Sequence, residues 1–162
     1  MGDVLVVGGT GMLAGVVDQL VADGHRVLLP SRHPGEGRPG VVAFAADWSD
    51  PSALRDAVTA HLDGALDRVV VWCHHPYRPE VTAVLAPLLE SSGSPVVEVW
   101  GSTALTDLWD HRPDATSIHV MLGHRQLDDG TSRWLTNDEI SAGVIDALQR
   151  PAGSTLVIGS LD

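Results

Sequence analysis

The chain contains no lysine. All ten of its basic residues are arginines, and they face 21 acidic residues, which leaves a net charge of −11 over 162 residues. Any chemistry that needs a lysine amine is therefore excluded. The shortage of positive charge also argues against a protein that tracks nucleic-acid phosphates with a basic stripe, and against docking on an anionic membrane surface. No apolar run approaches the roughly 20 residues that span a bilayer, and no signal-type segment precedes the first apolar stretch. With one cysteine, Cys73, the chain can form no internal disulfide, and a reducing cytoplasm is the default expectation. Internal repeats, low-complexity tracts and linkers are lacking as well.

What is present reads as one globular domain over residues 1–162: 44% hydrophobic and 19% charged. Apolar strand-like runs alternate with segments of helical periodicity. The expected strands are Val4–Val7, Arg26–Leu29, Val41–Ala45, Val69–Cys73, Pro95–Trp100, Thr116–Leu122 and Thr155–Ile158. A first helix is expected from about Gly11 to Asp23, with Val16, Val17, Leu20 and Val21 on one face and Gly24 as its stop. Asp50-Pro51 offers an N-cap and a first-turn proline for a second helix to about Leu62. Glu80–Ser91 reads as a third helix. Thr136 and Glu139 form a capping-box pattern for a last one, ending near Gln149. Asp128-Asp129-Gly130 is a turn signal that lets Ser132–Leu135 pair back as a hairpin. Alternating strands and helices imply a three-layer α/β fold: a doubly wound, mostly parallel, Rossmann-like sheet of about seven strands.

The first stretch, VLVVGGTGMLAG over residues 4–15, carries the most specific signal. Gly8-Gly9-Thr10-Gly11-Met12-Leu13-Ala14 fits the pattern Gly-x-x-Gly-x-x-Ala between a strand and a helix. Gly8 suits a tight turn, Gly11 a close approach of backbone to a pyrophosphate, and Ala14 a close helix–strand contact. An anion is expected at the helix N-terminus, where free N–H groups and the dipole favour negative charge.

This stretch resembles the N-terminus of the short-chain dehydrogenase/reductase superfamily, in its extended or atypical branches. The resemblance implies a nicotinamide cofactor cradled by Gly8, Gly9, Thr10, Gly11, Met12 and Leu13. Ser31-Arg32, after the second strand, resembles the family's NADP-type signature, in which a guanidinium grips a 2′-phosphate; NADP(H) is thus expected over NAD(H). Asp47 resembles the family's adenine-contacting aspartate, with Trp48 beside it.

The likeness stops at the catalytic pair. Members of the family use Tyr-x-x-x-Lys beside a serine. Without a lysine that pair cannot exist, and the only tyrosine, Tyr77, follows the fourth strand. The span between Trp100 and Thr116 leaves room for only a short crossover, and the chain is shorter than the family's usual size. The candidates for chemistry stand instead at strand ends: His74, His75 and Tyr77 after the fourth strand, Ser102 after the fifth. Histidine titrates near neutrality and can supply a proton as hydride is delivered. No metal site is expected, because His74, His75, His119 and His124 lack a ligand spacing. Cys73 reads as an inert core thiol. Trp72 and Trp100 read as core, whereas Trp48, Trp109 or Trp134 could wall a pocket.

Three functions fit these residues. One is an NADP(H)-dependent oxidoreductase acting on a small carbonyl or imine substrate, with a histidine or solvent as proton source. Another is a non-catalytic NADP(H)-binding sensor or regulator. The last is a non-redox cyclase, isomerase or lyase that uses His74 or His75 as acid and base. The reduced substrate region leaves room for completion of the pocket by a second copy in a homodimer.

Overall fold

Residues 2–74, 76–101 and 116–161 are described by a computed structural model of the chain. The strands are β1 (Asp3–Val7), β2 (Val27–Ser31), β3 (Val41–Ala45), β4 (Leu66–Val71), β5 (Val96–Gly101), β6 (Ser117–Leu122), β7 (His124–Gln126), β8 (Ser132–Trp134) and β9 (Thr155–Ile158). All but β7 and β8 form one sheet in the order β3-β2-β1-β4-β5-β6-β9, and every neighbouring pair in it is parallel. The reversal of strand order beside β1 is the topological switch expected of a doubly wound sheet. Its helices are α1 (Ala14–Ala22), α2 (Pro51–His61), α3 (Arg78–Leu85) and α4 (Asn137–Ala147).

Alternation along the strands divides the core in two. Val4, Val6, Val70, Val97, Val99, Ile118 and Val120 pack on one face against Val16, Val17 and Leu20 of α1 and Val144 of α4. Leu5, Val7, Leu28, Val69, Val71 and Val96 pack on the other against Leu54 and Val58 of α2 and Val81 and Leu85 of α3. The capping box on α4 forms with both reciprocal bonds, and Asp50 caps α2 by accepting from Ala53 N at 3.2 Å. Gly24, at φ 90°, ends α1.

Several boundaries shift for local reasons. The first helix starts at Ala14 instead of Gly11, because residues 11–13 are used in turns; Ala14 N donates to the Gly11 carbonyl at 3.0 Å. The fourth strand ends at Val71, not Cys73: its ladder runs with β1, which stops at Val7 as Gly8 turns at φ 84°. Trp72 N makes the last bond, to the Val7 carbonyl at 2.9 Å. The third helix starts earlier than expected, at Arg78, since Pro79 is tolerated in a first turn, and it passes into a 3₁₀ turn at Ala86–Leu89 around Pro87. The hairpin forms from separate strands, β7 (His124–Gln126) and β8 (Ser132–Trp134), set off from β6 by Gly123. Pro30 falls where β2 has already parted from β1, whose ladder with it covers Val27 and Leu28. That parting opens space at the carboxyl end of the sheet.

Candidate functional site

The space above β1 is a cavity of about 430 Å³. Gly8, Thr10, Gly11 and Met12 form one wall; Ser31, Arg32 and His33 form another; Trp48 and Trp72 flank them. The glycine loop takes this shape because of what its positions exclude. A Cβ on Gly8 would lie 2.4 Å from the Trp72 carbonyl oxygen, on a backbone already at positive φ, so the turn off β1 requires glycine. A Cβ on Gly9 would meet Leu29 and Val6 within 2.8 Å. At Gly11 a Cβ would meet nothing within 4 Å. That position alone in the loop turns its bare backbone to open space.

The helix entrance is uncapped. Leu13 at the N-cap makes no side-chain capping bond, and no acidic residue sits in the first turn. The N–H groups of Thr10, Gly11, Met12 and Leu13 donate to no partner among the described residues. Unpaired donors at a helix N-terminus suit an anion. The loop is also pinned from behind: Ser141 Oγ of α4 donates to the Met12 carbonyl at 3.2 Å.

Among the expected cofactor-contacting residues, the structure brings Gly8, Thr10, Gly11, Met12, Ser31, Arg32 and Trp48 around one cavity. Gly9 and Leu13 stand differently. Gly9 faces the core, and the Leu13 side chain is fully buried in it, so only their backbone groups are available to a ligand. Ala14 does not make the close contact expected of it, because it is solvent-exposed. A tight approach falls one residue later, but to a helix and not a strand: a Cβ on Gly15 would lie 2.8 Å from Ser141 Oγ of α4. Asp47 is outside the cavity wall; its Oδ1 accepts from Ser49 N at 2.9 Å. That bond, with the Arg32 guanidinium nearby, holds its carboxyl below the usual carboxylate range.

The expected catalytic residues are more scattered. His74 is exposed, and its ring meets Trp48 edge to face with centroids 6.1 Å apart, next to the cavity. Tyr77 is exposed at the N-cap of α3, with its N–H donating to the His74 carbonyl at 3.1 Å. His75, Ser102 and Trp109 lie outside the described residues. Cys73 is buried just past β4, and burial pushes its thiol up to about 11, which keeps it protonated. His119 pairs with Glu98, and the His124 ring lies tilted against Trp134, on different parts of the fold.

Trp72 departs from its core assignment: it is only partly buried and lines the cavity, because β4 ends one residue before it. Trp100 is buried, as expected. Sequence reasoning also missed His33. Its position directly after Ser31-Arg32, in a strand-end turn, was the available signal.

No protein-family model matches the chain, and no curated protein matches it. Solved structures do. A short-chain dehydrogenase from Burkholderia cenocepacia in complex with NADP is 16% identical, with a TM-score of 0.69 over 99% of this chain and 89% of that one. An apo enzyme of the short-chain oxidoreductase type from Clostridium thermocellum is 15% identical, with a TM-score of 0.73 over 96% of this chain and 90% of the other. A UDP-N-acetylglucosamine 4-epimerase from Bacillus cereus reaches 0.63 at 14% identity, over 98% of this chain and 79% of its own. At such identities the likeness speaks for architecture, and the chain has the doubly wound fold of the short-chain dehydrogenase/reductase structures.

Proposed function

We propose that the protein is an NADP(H)-dependent oxidoreductase acting on a small carbonyl or imine substrate. The observation that carries this reading is the cavity in which Gly11's open backbone and Arg32 share one space. The residues fit the cofactor's chemistry. The unpaired N–H groups of Thr10–Leu13 suit a pyrophosphate, and Ser31, Arg32 and His33 suit a 2′-phosphate. Trp48 and Trp72 supply aromatic walls. A bound NADPH would supply the hydride that reduces the substrate carbon. The protein's own part is to orient both partners and to pass a proton to the resulting oxygen or nitrogen, from His74, His75 or solvent, with Tyr77 and Ser102 as further candidates for holding the substrate.

The test is a fluorescence titration of NADPH and NADH against wild type and Arg32→Ala. Micromolar NADPH binding is expected. Arg32→Ala should weaken it about tenfold, or ~1.4 kcal/mol, and leave NADH affinity unchanged. Failure of both nucleotides to bind wild type would overturn the reading.

A second reading has one observation in its favour. Among the described residues, Arg32 and His33 are the titratable side chains on the cavity wall. That wall suits a protein that binds NADP(H) and signals its presence without turning it over. NADPH consumption with a panel of small carbonyls and imines separates the two.

A further inference from the structure

Beyond the cavity, the same end of the sheet holds a buried cation. Arg78 is the first residue of α3 and is only 3% exposed. Its guanidinium carbon lies 4.0 Å from the centroid of the Trp100 ring and 5.8 Å from that of Trp72. Nη2 donates to the Cys73 carbonyl at 3.0 Å. Nε and Nη1 are buried with no hydrogen-bond partner among the described residues.

Three features make this arrangement costly as a structural device. Buried guanidinium N–H groups left unpaired lose their hydration with nothing in return. Burial disfavours the charged form of Arg78 for that reason. The nearby buried acid does not neutralise it by contact: Glu98 Oε2 lies 2.8 Å from His119 Nε2, and Glu98 Oε1 accepts from Thr82 Oγ1 at 3.0 Å. Finally, a cation at a helix N-terminus opposes the helix dipole. Each of these costs becomes a gain when an anion arrives, because unpaired N–H donors, a stacked cation and a positive helix end all attract negative charge.

We propose that Arg78 is the anion-binding residue of a substrate pocket, and that the substrate carries a carboxylate. This rests on the reading of the protein as an NADP(H)-dependent oxidoreductase, and it narrows that reading to small organic acids. The site offers a single guanidinium over the Trp100 ring, and its unpaired N–H groups suit a carboxylate. Trp72 links the two places, since it touches Arg78 on one side and lines the cofactor cavity on the other. The acid would thus be anchored beside the site at which hydride is transferred.

The experiment titrates ¹⁵N-labelled protein, with and without NADPH, with acetate, pyruvate and benzoate. Acetamide, pyruvamide and benzamide serve as uncharged counterparts. Arg78→Lys assigns the Arg78 Nε–H signal, and Arg78→Met removes the cation. At least one carboxylate should move the Arg78 Nε–H and bind at least tenfold more tightly than its amide. Arg78→Met should weaken that binding tenfold or more while NADPH affinity stays within twofold. The proposal is overturned if no carboxylate moves the signal, if acid and amide bind alike, or if Arg78→Met lowers NADPH affinity alone. Should Arg78→Met fail to fold, the wild-type discrimination between acid and amide decides the matter. If NADPH does not bind wild type, the nucleotide reading falls, and the titration of the free protein still judges Arg78.

Discussion

The carboxyl end of the sheet carries two polar regions built on opposite terms. Over β1 and β2 the polar groups stand open: Thr10, Gly11 and Arg32 are exposed around a cavity, and the helix behind them has no cap. Over β5 and β6 they are sealed. One face of those strands presents Val97, Val99, Ile118 and Val120, while the other presents Glu98, Trp100 and His119, buried and in contact with each other or with α3. The open region can accept a ligand with little rearrangement. The sealed region ties folding to the pairing of Glu98 with His119. Nucleotide binding and stability should therefore respond to different substitutions.

The largest effect is expected in the sealed region. His119→Leu leaves Glu98 Oε2 buried without its partner, and should destabilise the fold by about 3 kcal/mol in urea unfolding. Glu98→Met combined with His119→Leu removes both ends of the pair and should recover most of that loss. A single substitution costing less than about 1 kcal/mol would mean that water reaches the pair, and the contrast between the two regions would fail.

The glycine loop sharpens the comparison within a few residues. Gly8→Ala places a methyl against the Trp72 carbonyl on a positive-φ backbone, and should cost roughly 2 kcal/mol. Gly11→Ala meets nothing, and should leave stability within about 0.5 kcal/mol. On the proposed function, however, the Gly11→Ala methyl fills the approach to the pyrophosphate and should weaken NADPH binding about tenfold. Thermal melts and nucleotide titrations on the same two variants check both halves.

The sequence made the open region legible and the sealed one nearly invisible. Gly-x-x-Gly after Val4–Val7 is a local pattern, readable because turn, helix start and bare backbone all lie in one short run. Ser31-Arg32 was legible by the same adjacency. Glu98, His119 and Arg78 come from three separate elements, and no spacing within any one of them announces the Glu98–His119 pair or the approach of Arg78 to Trp100. A hint existed in the strands: Glu98 and His119 each interrupt an apolar run, on what proves to be the same face. Trp72 was misread because the end of β4 is set by its partner, β1, and not by its own apolar run.

The smallest effect concerns two helix N-termini. At α1 the entrance is uncapped, whereas at α4 Glu139 closes the capping box and also meets Arg133 and Arg125. The Arg133 bond, the Thr136 N–H and Arg125 together hold the Glu139 carboxyl down at about 2. A depressed folded-state value means that the unfolded chain binds the proton first as pH falls. The contribution of Glu139 is therefore complete above about 4.5, the ordinary value, and declines as pH drops toward 2. Glu139→Gln keeps the shape of the capping box and removes the charge. Its melting temperature should lie below wild type by a constant margin from pH 7 to about 5, and the margin should shrink between pH 4.5 and 3. A margin independent of pH would assign the residue's role to the hydrogen bonds alone. In that case the closed entrance would differ from the open one in geometry and not in charge.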